Sequence, residues 1–125
     1  MFDHISIGTK DIGKSGAFYD AVLAPLGCRR LSDDKAALGY GAKAVRLWLL
    51  AVGKPVPANA DSGLHLCFAA ASRAAVDAFH AAALAHGGSD NGKPGLRKDY
   101  GPDYYAAFVV DPDGYRLEAY CSKKA

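Results

Sequence analysis

A shift of 61 residues lays the second half of this chain over the first. FDHISIGTKDIGKSGAFYDAVLAPLG, residues 2–27, falls on GLHLCFAAASRAAVDAFHAAALAHGG, residues 63–88, so that His4 meets His65, Asp11 meets Ser72, Phe18 meets Phe79, Leu23 meets Leu84 and Gly27 meets Gly88. The ends of the halves agree as well, Arg46-Leu47-Trp48 resembling Arg116-Leu117-Glu118, with loops of different length before them. A repeat of this length means two copies of one supersecondary unit, neither able to bury its apolar face alone. The fold is thereby restricted to architectures built from two equivalent halves.

Within the first half, residues 2–9 alternate with the period of a strand, Ile5 and Ile7 on one face and Phe2, His4 and Ser6 on the other. Asp11 is a candidate N-cap, Ile12, Phe18, Val22 and Leu26 follow at helical spacing, and Gly27 stops the helix. Residues 28–32 and 36–40 read as short strands parted by a polar turn at Asp33 and Asp34, and 44–52, AVRLWLLAV, as a stronger one. GKPVPANADSG is a connection. The second half reads as a strand at 63–69, a helix at 72–86, a long Gly-rich loop at 87–102, and two strands flanking Asp111-Pro112-Asp113-Gly114. Pro112 presets a turn and Gly114 tolerates positive φ, so this hairpin is well specified. The expected fold is α+β: one domain of two βαβββ modules, about 1–56 and 62–125, forming an open, barrel-like mixed sheet with a helix on the outer face of each module.

Composition excludes several functions. Fifteen Lys plus Arg against thirteen Asp plus Glu are scattered along the chain, a poor fit to nucleic acid. No stretch approaches the roughly 20 apolar residues of a membrane span, and MFDHISIG lacks the charged and apolar regions of a secretory leader. Cys28, Cys67 and Cys121 make neither an even set nor a zinc spacing, which points to reduced thiols and a cytoplasmic protein.

The chemistry lies on the sheet face turned away from the helices. Strand period places His4 with Ser6, His65 with Cys67, and Glu118 with Arg116 and Tyr120 on that face, while Leu64, Leu66, Phe68, Tyr115 and Leu117 point toward the helix. A carboxylate in mid-strand must face water, find a partner or bind a metal. Two histidines and a carboxylate at corresponding places in a duplicated sheet form a set that holds a divalent ion and leaves coordination positions open. Imidazole and carboxylate suit Fe(II), Mn(II), Ni(II), Co(II) or Zn(II). His80 and His86 lie on the second helix and are left out of the set. Arg46 shares a face with Trp48, and LRKDYGPDYY, residues 96–105, carries Arg97, Lys98, Tyr100 and Tyr104 just before the hairpin. That loop reads either as a lid over a polar or anionic substrate or as an exposed loop whose tyrosines pack on the rim.

The paired modules, His4 in the first strand, GLHLCF opening the second module and DPDGYRLEAY closing it together resemble the vicinal oxygen chelate superfamily: glyoxalase I, extradiol dioxygenases, fosfomycin-modifying transferases and bleomycin-binding proteins. The resemblance covers essentially the whole chain. It implies a cleft inside two curled sheets, His4, His65 and Glu118 as metal ligands, a small-molecule substrate and a homodimer. Glyoxalase I has a fourth ligand, a glutamate, where this chain has Trp48, and an indole replaces it neither as ligand nor as base.

Two functions follow as expectations. One is a divalent-metal-dependent enzyme of the glyoxalase, dioxygenase or transferase type that chelates vicinal oxygens of its substrate, with no general base assigned. The other is a protein that binds and sequesters a small molecule. In either case Ser6, Arg46, Trp48, Cys67, Arg97, Tyr100, Tyr104 and Arg116 are the expected pocket residues.

Overall fold

The computed structural model describes residues 1–125 and contains two βαβββ modules. In the first, β1 (Ile5–Thr9) leads into α1 (Ile12–Leu23), followed by β2 (Arg29–Asp34), β3 (Ala37–Gly41) and β4 (Leu47–Ala51). In the second, β5 (His65–Ala69) leads into α2 (Arg73–Ala85), followed by β6 (Ser89–Leu96), β7 (Tyr105–Val110) and β8 (Arg116–Cys121). Each module makes one four-stranded mixed sheet, in the orders β1-β4-β3-β2 and β5-β8-β7-β6. In each, the first and last strands pair parallel and the others antiparallel. The helix and the two strands after it make up the long connection that parallel neighbours need.

The capping chemistry works as expected: Asp11 accepts from Lys14 N at 3.0 Å and Ser72 from Ala75 N at 3.0 Å. A short 3₁₀ turn at Ala24–Leu26 extends α1, and Gly27 ends it at φ 81°, a left-handed conformation that costs a side-chain-bearing residue energy. Phe18, Tyr19, Val22 and Leu23 of α1 and Val76, Phe79 and Ala83 of α2 share a single core of 18 buried residues with Leu38, Leu49, Val109, Leu117 and others from both sheets. The helices pack against each other as well as on their sheets. No helix is long and apolar enough to cross a membrane.

Two details differ from the sequence reading. The turn after β2 falls at Lys35 and Ala36, with Lys35 at φ 44°, so Asp33 and Asp34 end a strand instead of making the turn. Residues 89–96, expected to be loop, form β6. This is an edge strand whose pairing with β7 slips between Asp90 and Gly92 and again between Gly92 and Gly95. Edge position and bulges accommodate the Gly and Pro94 that mask a strand signal.

Besides the shared core, the hairpin between β7 and β8 makes polar contacts with the first module. Asp111 accepts from Asp113 N at 2.9 Å and Tyr115 N at 2.8 Å, which shapes the turn, and from the Tyr19 hydroxyl of α1 at 2.6 Å. Asp113 reaches back to the end of β1: Thr9 donates to it at 2.5 Å, Lys10 N at 3.2 Å, and Ser15 Oγ lies 3.1 Å away. The Tyr115 hydroxyl donates to the Gly8 carbonyl at 2.7 Å. Thr9 and Ser15 are each only 1 % exposed, so without Asp113 their hydroxyls lose an acceptor that water does not readily replace.

Asp113→Ala is expected to lower unfolding free energy by about 2–3 kcal/mol, the scale of buried hydrogen bonds to a charged acceptor; urea denaturation measures it. Burial, reinforced by the Asp111 charge, pushes the Tyr19 phenol well above its ordinary value. A raised folded-state value contributes stability that is complete below the unfolded phenol value, about 10, and is lost as pH rises through the folded one. Stability should therefore fall in strongly alkaline solution, and Tyr19→Phe should flatten that fall when urea midpoints are compared across pH.

Candidate functional site

The face of the second sheet that is turned away from α2 carries the site. Parallel pairing of β5 with β8 sets Cys67 opposite Glu118 and His65 opposite Arg116, while β7 places Phe108 opposite Glu118. Alternation then gathers His65, Cys67, Phe108 and Glu118 on one surface, because residues paired in register point the same way. Leu117 and Ala119, one step away on β8, face the core instead.

Glu118 is only 3 % exposed, and both its oxygens are engaged. His65 Nε2 lies 3.0 Å from Oε1, and the Tyr104 hydroxyl donates to Oε2 at 2.6 Å. Tyr104 stands at the foot of β7, its ring stacked on Tyr120 at 4.0 Å and met edge-on by Tyr100 at 5.3 Å. His65, Glu118, Tyr104, Tyr100, Phe108 and Asp99 line an open bowl of about 510 Å³. Arg116 and Asn91 lie along its neighbouring rim, again with His65, Tyr100 and Phe108.

Desolvation and the Glu118 carboxylate set the protonation of the donors beside it. The Tyr104 phenol is pushed up by desolvation and by its bond to Glu118, so it stays a hydrogen-bond donor in ordinary conditions. Partial desolvation and the Glu118 charge push the Cys67 thiol up to about 12. It is therefore a protonated bystander rather than a nucleophile.

The expected site residues divide into two groups. The structure brings together His65, Glu118, Cys67, Tyr100, Tyr104 and Arg116. Arg97 is near them, but its guanidinium lies over the Phe108 ring at 5.3 Å and donates to the Lys93 carbonyl at 2.6 Å. The other group sits on the first module. His4 is exposed, with Nδ1 2.7 Å from Asp3 Oδ1, and Arg46 donates to the Asp3 carbonyl at 2.9 Å. Ser6 lines a groove with Ile5, Gly8, Val56 and Leu64, and Arg46 borders an apolar crevice of about 200 Å³ between the modules with Ile5, Leu47 and Leu66. Trp48 packs over Gly39, where a side chain would collide with it. No three His, Cys, Asp or Glu side chains of the single chain are grouped so as to hold a metal ion.

At 3.0 Å, His65 Nε2 and Glu118 Oε1 stand at the distance of an imidazole–carboxylate ion pair. One chain thus offers a pair of adjacent donors of the right chemistry for a metal, an imidazole nitrogen and a carboxylate oxygen. Phe108, Asn91 and Asp99 were missed as site residues. Phe108 was within reach of the strand alternation, as the register partner of Glu118, whereas nothing in the sequence singles out Asn91 or Asp99.

Comparison with known proteins bears on what such a site does. The family model described as Glyoxalase/Bleomycin resistance protein/Dioxygenase superfamily matches residues 1–119. A glyoxalase/bleomycin resistance protein from Albidiferax ferrireducens T118 is 35 % identical, with 96 % of this chain and 98 % of that one covered and a TM-score of 0.84. Fosfomycin resistance protein FosX from Mesorhizobium loti (12 % identity, 96 % and 90 % covered, TM-score 0.69) shares the fold. So does a V278E glyoxalase I mutant from Zea mays (19 % identity, 95 % and 45 % covered, TM-score 0.67). No curated protein matches.

The state of Cys67 is open to a direct check. In metal-free protein at pH 8, its alkylation by iodoacetamide should run at least about tenfold slower than that of a free cysteine, because so little thiolate is present. Glu118→Gln, which removes the neighbouring charge, should accelerate it; peptide mass spectrometry resolves the three cysteines.

Proposed function

The chain belongs to the Glyoxalase/Bleomycin resistance protein/Dioxygenase superfamily, and from that premise we propose that it is a divalent-metal-dependent enzyme acting on a small molecule with two neighbouring oxygens. The observation that carries the proposal is the His65–Glu118 pair, an imidazole nitrogen beside a buried carboxylate in a bowl walled by Tyr100, Tyr104 and Phe108. When bound, such an ion supplies Lewis acidity toward the two substrate oxygens, or oxygen activation if it is iron.

His65 and Glu118 hold the ion, and His4 is the third ligand. Because His4 stands apart from the other two in one chain, it comes from a second copy, whose first module faces the bowl. The repeat supports this arrangement, since His4 occupies in β1's approach the place that His65 occupies at the start of β5. A homodimer of this kind has two equivalent sites, each sharing both chains. Tyr100, Tyr104 and Phe108 wall the substrate and keep water from its apolar part, and Arg116 on the rim attracts an anionic substituent. The native ion is one of Fe, Mn, Ni, Co or Zn.

A second reading has its own support. The superfamily name includes bleomycin resistance proteins, and Tyr100, Tyr104 and Phe108 line the bowl, so the same bowl can sequester an aromatic molecule without chemistry. Binding of such a ligand that is undiminished by a chelator would favour it.

Protein purified without chelator should contain about one divalent ion per chain by elemental analysis, and His4→Ala, His65→Ala and Glu118→Ala should each lose most of it. Mixing His4→Ala with Glu118→Ala under conditions of subunit exchange should restore about a quarter of the sites, because each mixed dimer pairs one intact ligand set with one doubly broken set. Restoration of none would overturn the site shared between two chains. Stoichiometric metal surviving the single substitutions would sink the assignment.

A further inference from the structure

A carboxylate ligand has two oxygens, and how many of them an ion takes decides how many positions remain for substrate. An octahedral ion held by two histidines and one carboxylate oxygen keeps three open positions, enough for two substrate oxygens and a water. If the carboxylate swings to give both oxygens, one of those positions is lost. A glutamate on an exposed strand is free to swing; Glu118 is not.

We propose that Tyr104 is the positioning residue that confines Glu118 to one ligating oxygen. Its hydroxyl donates to Oε2 at 2.6 Å, while Oε1 is the oxygen beside His65 Nε2. A charge-assisted bond of this length occupies Oε2 and fixes the plane of the carboxylate. Tyr104 is itself held from three sides. Its ring stacks on Tyr120 at 4.0 Å with 29° between planes, and Tyr100 meets it edge-on at 5.3 Å. Its backbone closes the turn between β6 and β7, the Tyr104 carbonyl accepting from Arg97 N at 2.7 Å and its own N–H donating to the Gly101 carbonyl at 3.3 Å. The phenol therefore arrives at Glu118 already oriented, and the carboxylate pays no ordering cost at the moment an ion binds. The aromatic cluster of the 96–105 segment thus has a role besides walling substrate: it is the support behind a ligand.

The next residue supplies a matched control. Tyr105 also donates to a carboxylate at 2.6 Å, but to Asp77 on α2, outside the bowl. The two tyrosines make the same kind of bond on opposite sides of the sheet, and only one of them touches a ligand.

The inference rests on the metal reading above, and the experiment separates the two. Co(II) is titrated into metal-free wild type, Tyr104→Phe and Tyr105→Phe, with affinity taken from calorimetry and coordination from the visible absorption of the bound ion. Tyr104→Phe should weaken Co(II) about 10- to 100-fold, the range for loss of a bond to a ligand. Its spectrum should also shift toward higher coordination as Glu118 becomes bidentate. Tyr105→Phe should match wild type in both. If Tyr104→Phe does not fold, Tyr120→Leu, which removes the stack but keeps the phenol, carries the test and should produce the same spectral shift with a smaller loss of affinity. Wild-type affinity and spectrum in the folded Tyr104→Phe or, failing that, in Tyr120→Leu would overturn the positioning role alone. Failure of the wild type to take up Co(II) at millimolar concentration would overturn the metal reading and this one with it.

Discussion

Two carboxylates in one four-residue turn make the polar contacts that link the halves of this protein beside their shared core. Asp111 and Asp113 sit in the hairpin of the second module, yet most of what they bind belongs to the first: the Tyr19 phenol, the Thr9 hydroxyl and the Lys10 amide. Burying charge this way is costly unless each oxygen finds a donor, and here the donors are present. Burial pushes the Asp111 carboxyl upward while bonds from Tyr19, Tyr115 and Asp113 pull the other way, so the turn carries opposing electrostatic demands. The two sheets take their mutual position from this contact together with the shared helix core, and so does the placement of the bowl relative to His4.

The repeat is symmetric in backbone and asymmetric in chemistry. Both modules have the same strand order and the same parallel pair flanking a helix. Only the second places a carboxylate in the middle of the closing strand, and only the second has a hairpin that reaches across to its partner module. Where β8 has Glu118, β4 has Trp48; where β7 and β8 meet at Asp-Pro-Asp-Gly, β3 and β4 are joined by Ala42 to Arg46, among which a lysine is the sole charged neighbour of Arg46. The scaffold is present twice, whereas the buried carboxylate with its imidazole and phenol partners is present once.

Much of this was legible in the sequence because it depended on period and spacing. The alternation in YRLEAYC put Glu118 on one face and Leu117 on the other, and the burial of Leu117 beside the bowl-facing Glu118 agrees. The 61-residue shift identified the modules before any strand was placed. β6 escaped because an edge strand with two register slips and a proline has no alternation to detect. The position of His4 escaped for a different reason. Strand period tells which face a residue is on, but not how two sheets are turned toward each other, and that depends on contacts such as Thr9–Asp113 between residues 104 apart. Tyr104 was visible only as one tyrosine among several in a loop; that its hydroxyl, and not that of Tyr105, meets Glu118 is decided by where β7 begins.

Glu118 shows why the distinction between fold and site matters for inference. The core does not require a carboxylate there: Ala119 and Leu117 beside it are satisfied by packing, and an apolar side chain of similar volume would avoid the desolvation cost altogether. What offsets that cost is local, a phenol on one oxygen and an imidazole by the other. Both partners are themselves held by the second module, His65 by the β5–β8 ladder and Tyr104 by its stack on Tyr120. Stability alone would be served as well by a leucine, so this acid, with polar partners converging on it at the edge of a bowl, is not explained by packing. Of the two carboxylate oxygens, one is taken by the Tyr104 phenol and the other has only the half-exposed His65 ring beside it.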